Sequence, residues 1–159
     1  MGLAKNWMIF FTSWCFYIYV CVVLLDLTGQ PIRRVLWDTS RTLLIAVCIN
    51  GMLMLSMNGD NISNQYNISN NKLLNINFIT HVLPCIFAYF YKPKNVIGEP
   101  NKKESISLGL FLYFLYCLFF NTMNIYALDL RQLLFFFSVT FSVFIFVLNV
   151  SPSKINVSI

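Results

Sequence analysis

The sequence predicts an all-α protein, a polytopic bundle of five transmembrane helices. Of the 159 residues, 58% are hydrophobic and only 11% are charged, whereas a soluble domain carries about 25% charged and about 45–50% apolar residues. The mean hydropathy is +0.68. The apolar residues form five long runs separated by charged connectors, and uniformly apolar runs of this length are typical of helical spans rather than of alternating barrel strands.

Each predicted span corresponds to one apolar run. The first contains no charged residue and is about long enough to cross a bilayer core. The second is the shortest, the third is the most polar because it contains His81 and Pro84, and the fifth is rich in phenylalanine. No soluble domain and no internal repeat separates the runs, so residues 1–159 form a single transmembrane domain. The predicted spans are 7–25, 42–57, 73–91, 106–128 and 133–150.

The basic residues predict the orientation of the bundle. The first connector (26–41), the third connector (92–105) and the C-terminal tail together carry eight Lys and Arg residues, and the opposite side carries three. Under the positive-inside rule the N-terminus lies outside or in a lumen, and the C-terminus lies in the cytoplasm. The net charge of +5 therefore indicates membrane topology rather than nucleic-acid binding, and we expect an integral membrane protein of the endoplasmic reticulum or plasma membrane.

The second connector (58–72) contains two glycosylation sequons. They are Asn61-Ile62-Ser63 and Asn67-Ile68-Ser69, and both fall on the predicted outer side, where glycans are added. We therefore predict a glycoprotein modified at Asn61 and Asn67.

The cysteines predict neither a disulfide framework nor a zinc site. Their number is odd, no CxxC motif is present, and each lies in an apolar run, which is typical of small buried side chains. We expect no metal and no cofactor. The five residues are Cys15, Cys21, Cys48, Cys85 and Cys117.

Four polar side chains are predicted to share one layer in the outer half of the membrane. From the helical rise per residue, the chain's only histidine, His81, lies about 12 Å below the outer end of its span, and Thr12 lies about 7–8 Å below. Asn121 and Asn124 lie about 10 and 6 Å below the outer end of the fourth span. An ionisable residue within a span is a candidate functional residue.

This combination suits nucleophilic acyl chemistry. A hydroxyl needs a base within hydrogen-bond reach, so Thr12 would attack while His81 takes its proton. Asn121 or Asn124 would orient the imidazole or help to hold an oxyanion. Other interpretations remain open: Ser13 could replace Thr12, a span threonine often bonds a carbonyl of its own helix, and His81 could serve only to join two helices.

Short motifs resemble the androgen-induced family of integral-membrane threonine hydrolases. Residues 10–14, Phe-Phe-Thr-Ser-Trp, resemble a Phe-Leu-Thr-x-Trp stretch of that family, and Asp26 closes the span as in its Thr-Asp-Leu. Residues 80–84, Thr-His-Val-Leu-Pro, are similar to its His…Val-Leu-Pro helix, and residues 121–126 are similar in placement to a His- and aromatic-containing span. The resemblance extends over about 7–150.

The resemblance implies Thr12 as nucleophile and His81 as base in an enzyme that cleaves fatty-acid esters of hydroxy fatty acids within the membrane. Two features differ from the family: the histidine is three residues before the proline, two closer than expected, and one N-terminal span is missing. The alternative function is a non-enzymatic membrane scaffold or assembly partner with a polar interhelical layer. A transporter is disfavoured because no acidic residue lies within a span. Membrane lipid is the expected partner, and no nucleic acid is expected.

Overall fold

The chain is almost entirely helical in the computed structural model, which describes residues 2–57, 69, 72, 75, 78–122 and 130–150. The side chains of 2–14, 54, 55, 57 and 119–122 are outside that description. This confirms the predicted all-α class. The helices are α1 (Gly2–Leu27), α2 (Arg34–Met57), α3 (Leu83–Phe90), α4 (Lys102–Thr122) and α5 (Leu130–Asn149).

Each of these helices covers most or part of one predicted span, but two boundaries differ in an informative way. Helix α2 begins at Arg34, eight residues before the predicted second span, because the polar residues 38–42 are buried inside the protein rather than left in a connector. Helix α3 is short and is preceded by a π-helical turn, Phe78–Val82. Pro84 lies in its first turn, and because a proline has no N–H it cannot donate the hydrogen bond that would continue the helix regularly from the π-helical turn.

Helix α2 occupies the centre of the fold. It packs against α1, α3, α4 and α5, and its middle is fully enclosed: Leu44, Ala46 and Cys48 are at most 1% exposed. Around it, the inner faces of α1 and α5 contribute Tyr19 and Phe144 to the same core. The central position of α2 explains why its polar residues are buried.

Two short strands, which the sequence did not predict, join the first and third connectors. Strand β1 (Ile32–Arg33) pairs in parallel with β2 (Val96–Ile97), with Ile32 opposite Val96. Strand β1 follows α1 and strand β2 follows α3. Both helices end on the same side of the bundle, so the two strands run in the same direction. The structure thus places the first and third connectors, the two most basic ones, side by side.

Asp26, near the C-terminal end of α1, holds the third connector in place. Its carboxylate accepts hydrogen bonds from the backbone N–H of Asn95 at 2.7 Å, the backbone N–H of Lys94 at 3.0 Å and the hydroxyl of Tyr91 at 2.9 Å. Burial raises the pKa of Asp26, but these hydrogen bonds outweigh it and bring the pKa below its ordinary value. The charged form is therefore the one that fits this site.

One helix in the described part of the chain is long and apolar enough to cross a membrane. It is Leu130–Asn149, with a mean hydropathy of 2.0, and the apolar segments Cys15–Leu27 and Phe78–Phe90 are shorter. One such helix alone does not distinguish a membrane span from the core helix of a soluble protein. The structure therefore establishes the helical class and does not by itself support five spans.

Candidate functional site

His81 lies in the π-helical turn before α3 and packs against the backbone of α2. A Cβ atom built on Gly51 would lie 2.5 Å from both Cδ2 and Nε2 of the His81 ring. That distance is shorter than any real carbon contact, so only glycine at position 51 leaves room for the imidazole. The π-helical turn and the glycine together set where this ring lies. Extra-wide turns of this kind are frequent at functional sites.

The neighbouring hydroxyl of Thr80 is bonded to the same ring. Thr80 Oγ1 lies 2.8 Å from His81 Nδ1. A hydroxyl can accept a hydrogen bond from Nδ1–H, and in that tautomer Nε2, the atom beside Gly51, is the basic nitrogen. The arrangement therefore offers a half-buried imidazole whose orientation is held from two sides.

The other predicted site residues lie where the structure gives no side-chain geometry. Thr12 is within α1 and Asn121 is within α4, but their side chains are outside the described part. Asn124 and the two sequon residues, Asn61 and Asn67, lie outside the described residues altogether. The predicted grouping of Thr12 with His81 and the asparagines thus stays a prediction.

An open apolar groove of about 530 Å³ runs between α2, α3 and α5. Cys85 and Tyr89 form its α3 wall, and they follow His81 by four and eight residues, a spacing that repeats on one helical face. The groove therefore runs along the face of α3 that carries Cys85 and Tyr89, and His81 is not among its lining residues. Its volume is within the roughly 300–1,000 Å³ usual for small-molecule sites. The other walls are Ile45 and Ile49 of α2 and Phe135, Ser138, Val139, Ser142, Val143, Phe146 and Val147 of α5.

A buried polar triad, which the sequence analysis missed, joins three helices. Asn50 Nδ2 of α2 donates to Tyr113 Oη of α4 and to Thr140 Oγ1 of α5, each at 2.8 Å. All three side chains are at most 6% exposed. Asparagine is abundant throughout this chain, so the presence of an asparagine at position 50 did not by itself indicate a special role. Its position in an apolar run, directly before Gly51, was the signal that could have identified it.

The described residues contain no cluster of three or more His, Cys, Asp or Glu side chains that could hold a metal ion. All five cysteines are free thiols.

No family model, no curated protein and no solved structure matches this chain.

Proposed function

We propose that this protein is a five-span membrane protein that hydrolyses lipid esters, with Thr12 as the nucleophile and His81 as its general base. The observation that carries the proposal is the His81 imidazole, held between Gly51 and Thr80 and followed, one helical turn further on, by Cys85 in the wall of an open apolar groove. A base one turn from an apolar groove suits an ester with a long hydrocarbon chain. The motif resemblance at residues 10–14 and 80–84 supports the same chemistry.

The surface of the fold supports a membrane setting. Large apolar side chains are exposed along the outer faces of the helices, for example Phe111 (57%), Phe90 (60%) and Leu130 (72%). Meanwhile Asn50 and Thr140 are buried between helices. Soluble monomers rarely expose contiguous apolar patches larger than a few hundred Å². An apolar exterior around a polar interior is the arrangement expected for a bundle in lipid.

In the proposed reaction His81 Nε2 takes the proton of Thr12 Oγ1 as that oxygen bonds to the ester carbonyl carbon. The tetrahedral intermediate collapses, the C–O bond to the alcohol breaks, and the imidazolium returns its proton to the leaving oxygen. Water, activated by the same imidazole, then releases the acid from the threonine. Asn121 or Asn124 would donate a hydrogen bond to the oxyanion.

The groove indicates the part of the substrate that is bound. Its walls are apolar from Cys85 to Tyr89 on α3, and the serine hydroxyls that face it already donate to carbonyls of their own helix: Ser138 to Leu134 and Ser142 to Ser138, each at 2.9 Å. An acyl chain is therefore the group that this groove fits.

A second function is favoured by the buried triad of Asn50, Tyr113 and Thr140. Hydrogen bonds of this kind stabilise helix association in lipid, and a bundle held in this way could act as a non-enzymatic scaffold or assembly partner. In that case His81 would serve only to pack α3 against α2 at Gly51.

Hydrolysis of medium- and long-chain esters by the purified protein in neutral detergent tests the two functions. We expect Thr12→Ala and His81→Ala to lower kcat/KM by at least about 100-fold, and Thr12→Ser to retain part of the activity. Ser13→Ala is the matched control and should behave like wild type. Absence of hydrolysis in wild type, or an active Thr12→Ala variant, would favour the scaffold.

A further inference from the structure

The first turns of α2 bury polar side chains that the proposed hydrolase does not use. Arg34, Asp38, Arg41 and Thr42 are spaced by four, seven and eight residues, so they share one side of the helix. Arg41 is 3% exposed, Asp38 6% and Thr42 0%, and Arg34 is half-buried at the first residue of the helix. Tyr19 of α1, at 1% exposure, lies close enough to interact electrostatically with Arg41. We call these five residues the α2 arginine cluster.

The cluster carries more positive than negative charge. Arg41 Nη2 lies 3.8 Å from Asp38 Oδ1, and Arg34 is also within electrostatic reach of Arg41. The cluster thus contains two guanidinium groups and one carboxylate. Asp26, a further buried carboxylate, is already bonded to the third connector. Because buried charge is costly unless counter-charge lies nearby, the net positive charge of the cluster favours a bound anion.

Several donors of the cluster also lack an acceptor. Tyr19 Oη, Thr42 Oγ1 and Arg34 Nε are buried and have no hydrogen-bond partner among the described residues. A guanidinium nitrogen can only donate, and both hydroxyls can donate. Buried polar groups are nearly always hydrogen-bonded in native proteins, so such a set calls for a bound group. Excess positive charge and unpaired donors both favour an anion rich in acceptor oxygens.

We propose that the α2 arginine cluster binds a phosphate group. Guanidinium groups bind phosphate through parallel charge-assisted hydrogen bonds, and the two hydroxyls would donate to further oxygens. Half-buried Arg34 marks the route of entry. The cluster lies at the end of the bundle where β1 and β2 join the basic connectors, the end that our orientation places at the cytoplasmic leaflet. Basic pockets between helices on that side bind anionic lipid head groups. The proposal is independent of hydrolysis at Thr12.

The thermal unfolding midpoint of the full chain, purified in neutral detergent, tests the proposal. A ligand that binds the folded state raises Tm, so we expect phosphatidic acid to raise it and diacylglycerol, which lacks the phosphate, to leave it unchanged. Inorganic phosphate forms the second arm. A shift with both phosphate compounds indicates that free phosphate suffices, and a shift with phosphatidic acid alone identifies a lipid headgroup. No shift with either would overturn the proposal.

Two variants and one control locate the site. Arg34→Gln should weaken phosphate binding about tenfold or more, as expected for a lost hydrogen bond to a charged group. Arg33→Gln removes the same charge from an exposed position in β1 and should bind like wild type. Tyr19→Phe removes a buried hydroxyl without a partner, so it should not lower Tm without ligand but should reduce the phosphate-dependent shift. Equal shifts in Arg34→Gln, Tyr19→Phe and Arg33→Gln would contradict the assignment.

Discussion

At the scale of single residues, Gly51 decides how α2 and α3 meet. Glycine is a poor helix former, and in an apolar run it would ordinarily only weaken the helix. Here the space that a side chain would fill is occupied by the His81 ring, 2.5 Å from the point where a Cβ would stand. The absence of one carbon therefore sets the position of the proposed base.

Gly51→Ala is expected to lower the stability of the wild-type protein and to raise the stability of a His81→Ala variant. In wild type the new methyl group meets the imidazole, and overpacking of this kind destabilises by about 1–3 kcal/mol, so both stability and esterase activity should fall. In a His81→Ala background the clash is gone, and alanine's better helix propensity should stabilise by up to about 1 kcal/mol. Chemical denaturation of the wild type, the two single variants and the double variant measures these changes in the free energy of unfolding. The same change in both backgrounds would show that the ring does not lie at Gly51.

The Asn50 triad is the second residue-scale feature with a measurable effect. A double-mutant cycle with Asn50→Ala and Tyr113→Phe should give a coupling energy of about 0.6–2 kcal/mol, the range for hydrogen bonds between membrane helices. Ser138→Ala is the matched control, because that hydroxyl donates to Leu134 within its own helix and its removal should change stability little. A coupling energy near zero would argue against the Asn50–Tyr113 bond.

At the scale of elements, the end of α1 and the segment after α3 behave as one unit. Asp26 accepts hydrogen bonds from the backbone of Lys94 and Asn95, and the side-chain amide of Asn95 donates back to the Asp26 carbonyl at 2.6 Å. This unit, together with the pairing of β1 with β2, keeps the first and third connectors together. The contact between the end of α1 and the segment after α3 therefore depends on one carboxylate outside the predicted spans.

Acid should weaken this unit. The pKa of Asp26 is below its ordinary value, so its contribution is fully present above the unfolded pKa of about 4 and is lost as pH falls through the lower folded pKa. Asp26→Asn should lower stability by about 1–3 kcal/mol at neutral pH and flatten the acid limb of the stability curve. Glu99→Gln, an exposed change in the same connector, is the control and should retain the wild-type curve. An unchanged acid limb in Asp26→Asn would remove Asp26 from this role.

At the scale of the whole molecule, the proposed five-span arrangement predicts one orientation in a membrane. The first and third connectors, which carry most of the basic residues, are joined by β1 and β2. Tyr89 at the end of α3 donates to the carbonyl of Val150, just after α5, so α5 also ends near this side. If the protein spans the membrane as proposed, the positive-inside rule predicts that this end of the bundle lies in the cytoplasm.

Cysteine labelling measures that orientation. In a cysteine-free background, Asn64→Cys in the second connector should react with a membrane-impermeant reagent from outside, and Glu99→Cys in the third connector should react only after permeabilisation. Asn61→Gln and Asn67→Gln should each remove a glycan in cells that glycosylate the protein. Labelling of both cysteines from the same side would exclude the five-span arrangement.

The sequence alone determined the features that depend on neighbouring residues. Apolar runs of sufficient length become helices because buried backbone must satisfy its own hydrogen bonds, and these runs predicted the helical class and the approximate positions of the helices in the described part of the chain. The grouping of Arg and Lys predicted an orientation in a membrane, which stays a prediction. His81 was identified as a candidate because it is the single histidine in an apolar run, which needs no knowledge of its partners.

Only the tertiary structure decided the features that depend on residues far apart in the chain. Gly51 and His81 are separated by the second connector, and Asn50 lies 90 residues from Thr140. The early start of α2 at Arg34 depends on helices that enclose residues 38–42, and the β1–β2 pair forms between segments too short to be recognised by pattern. Local hydropathy predicts which segments are buried, but it does not predict which distant side chain a buried polar group contacts. Those contacts are determined by how the helices pack.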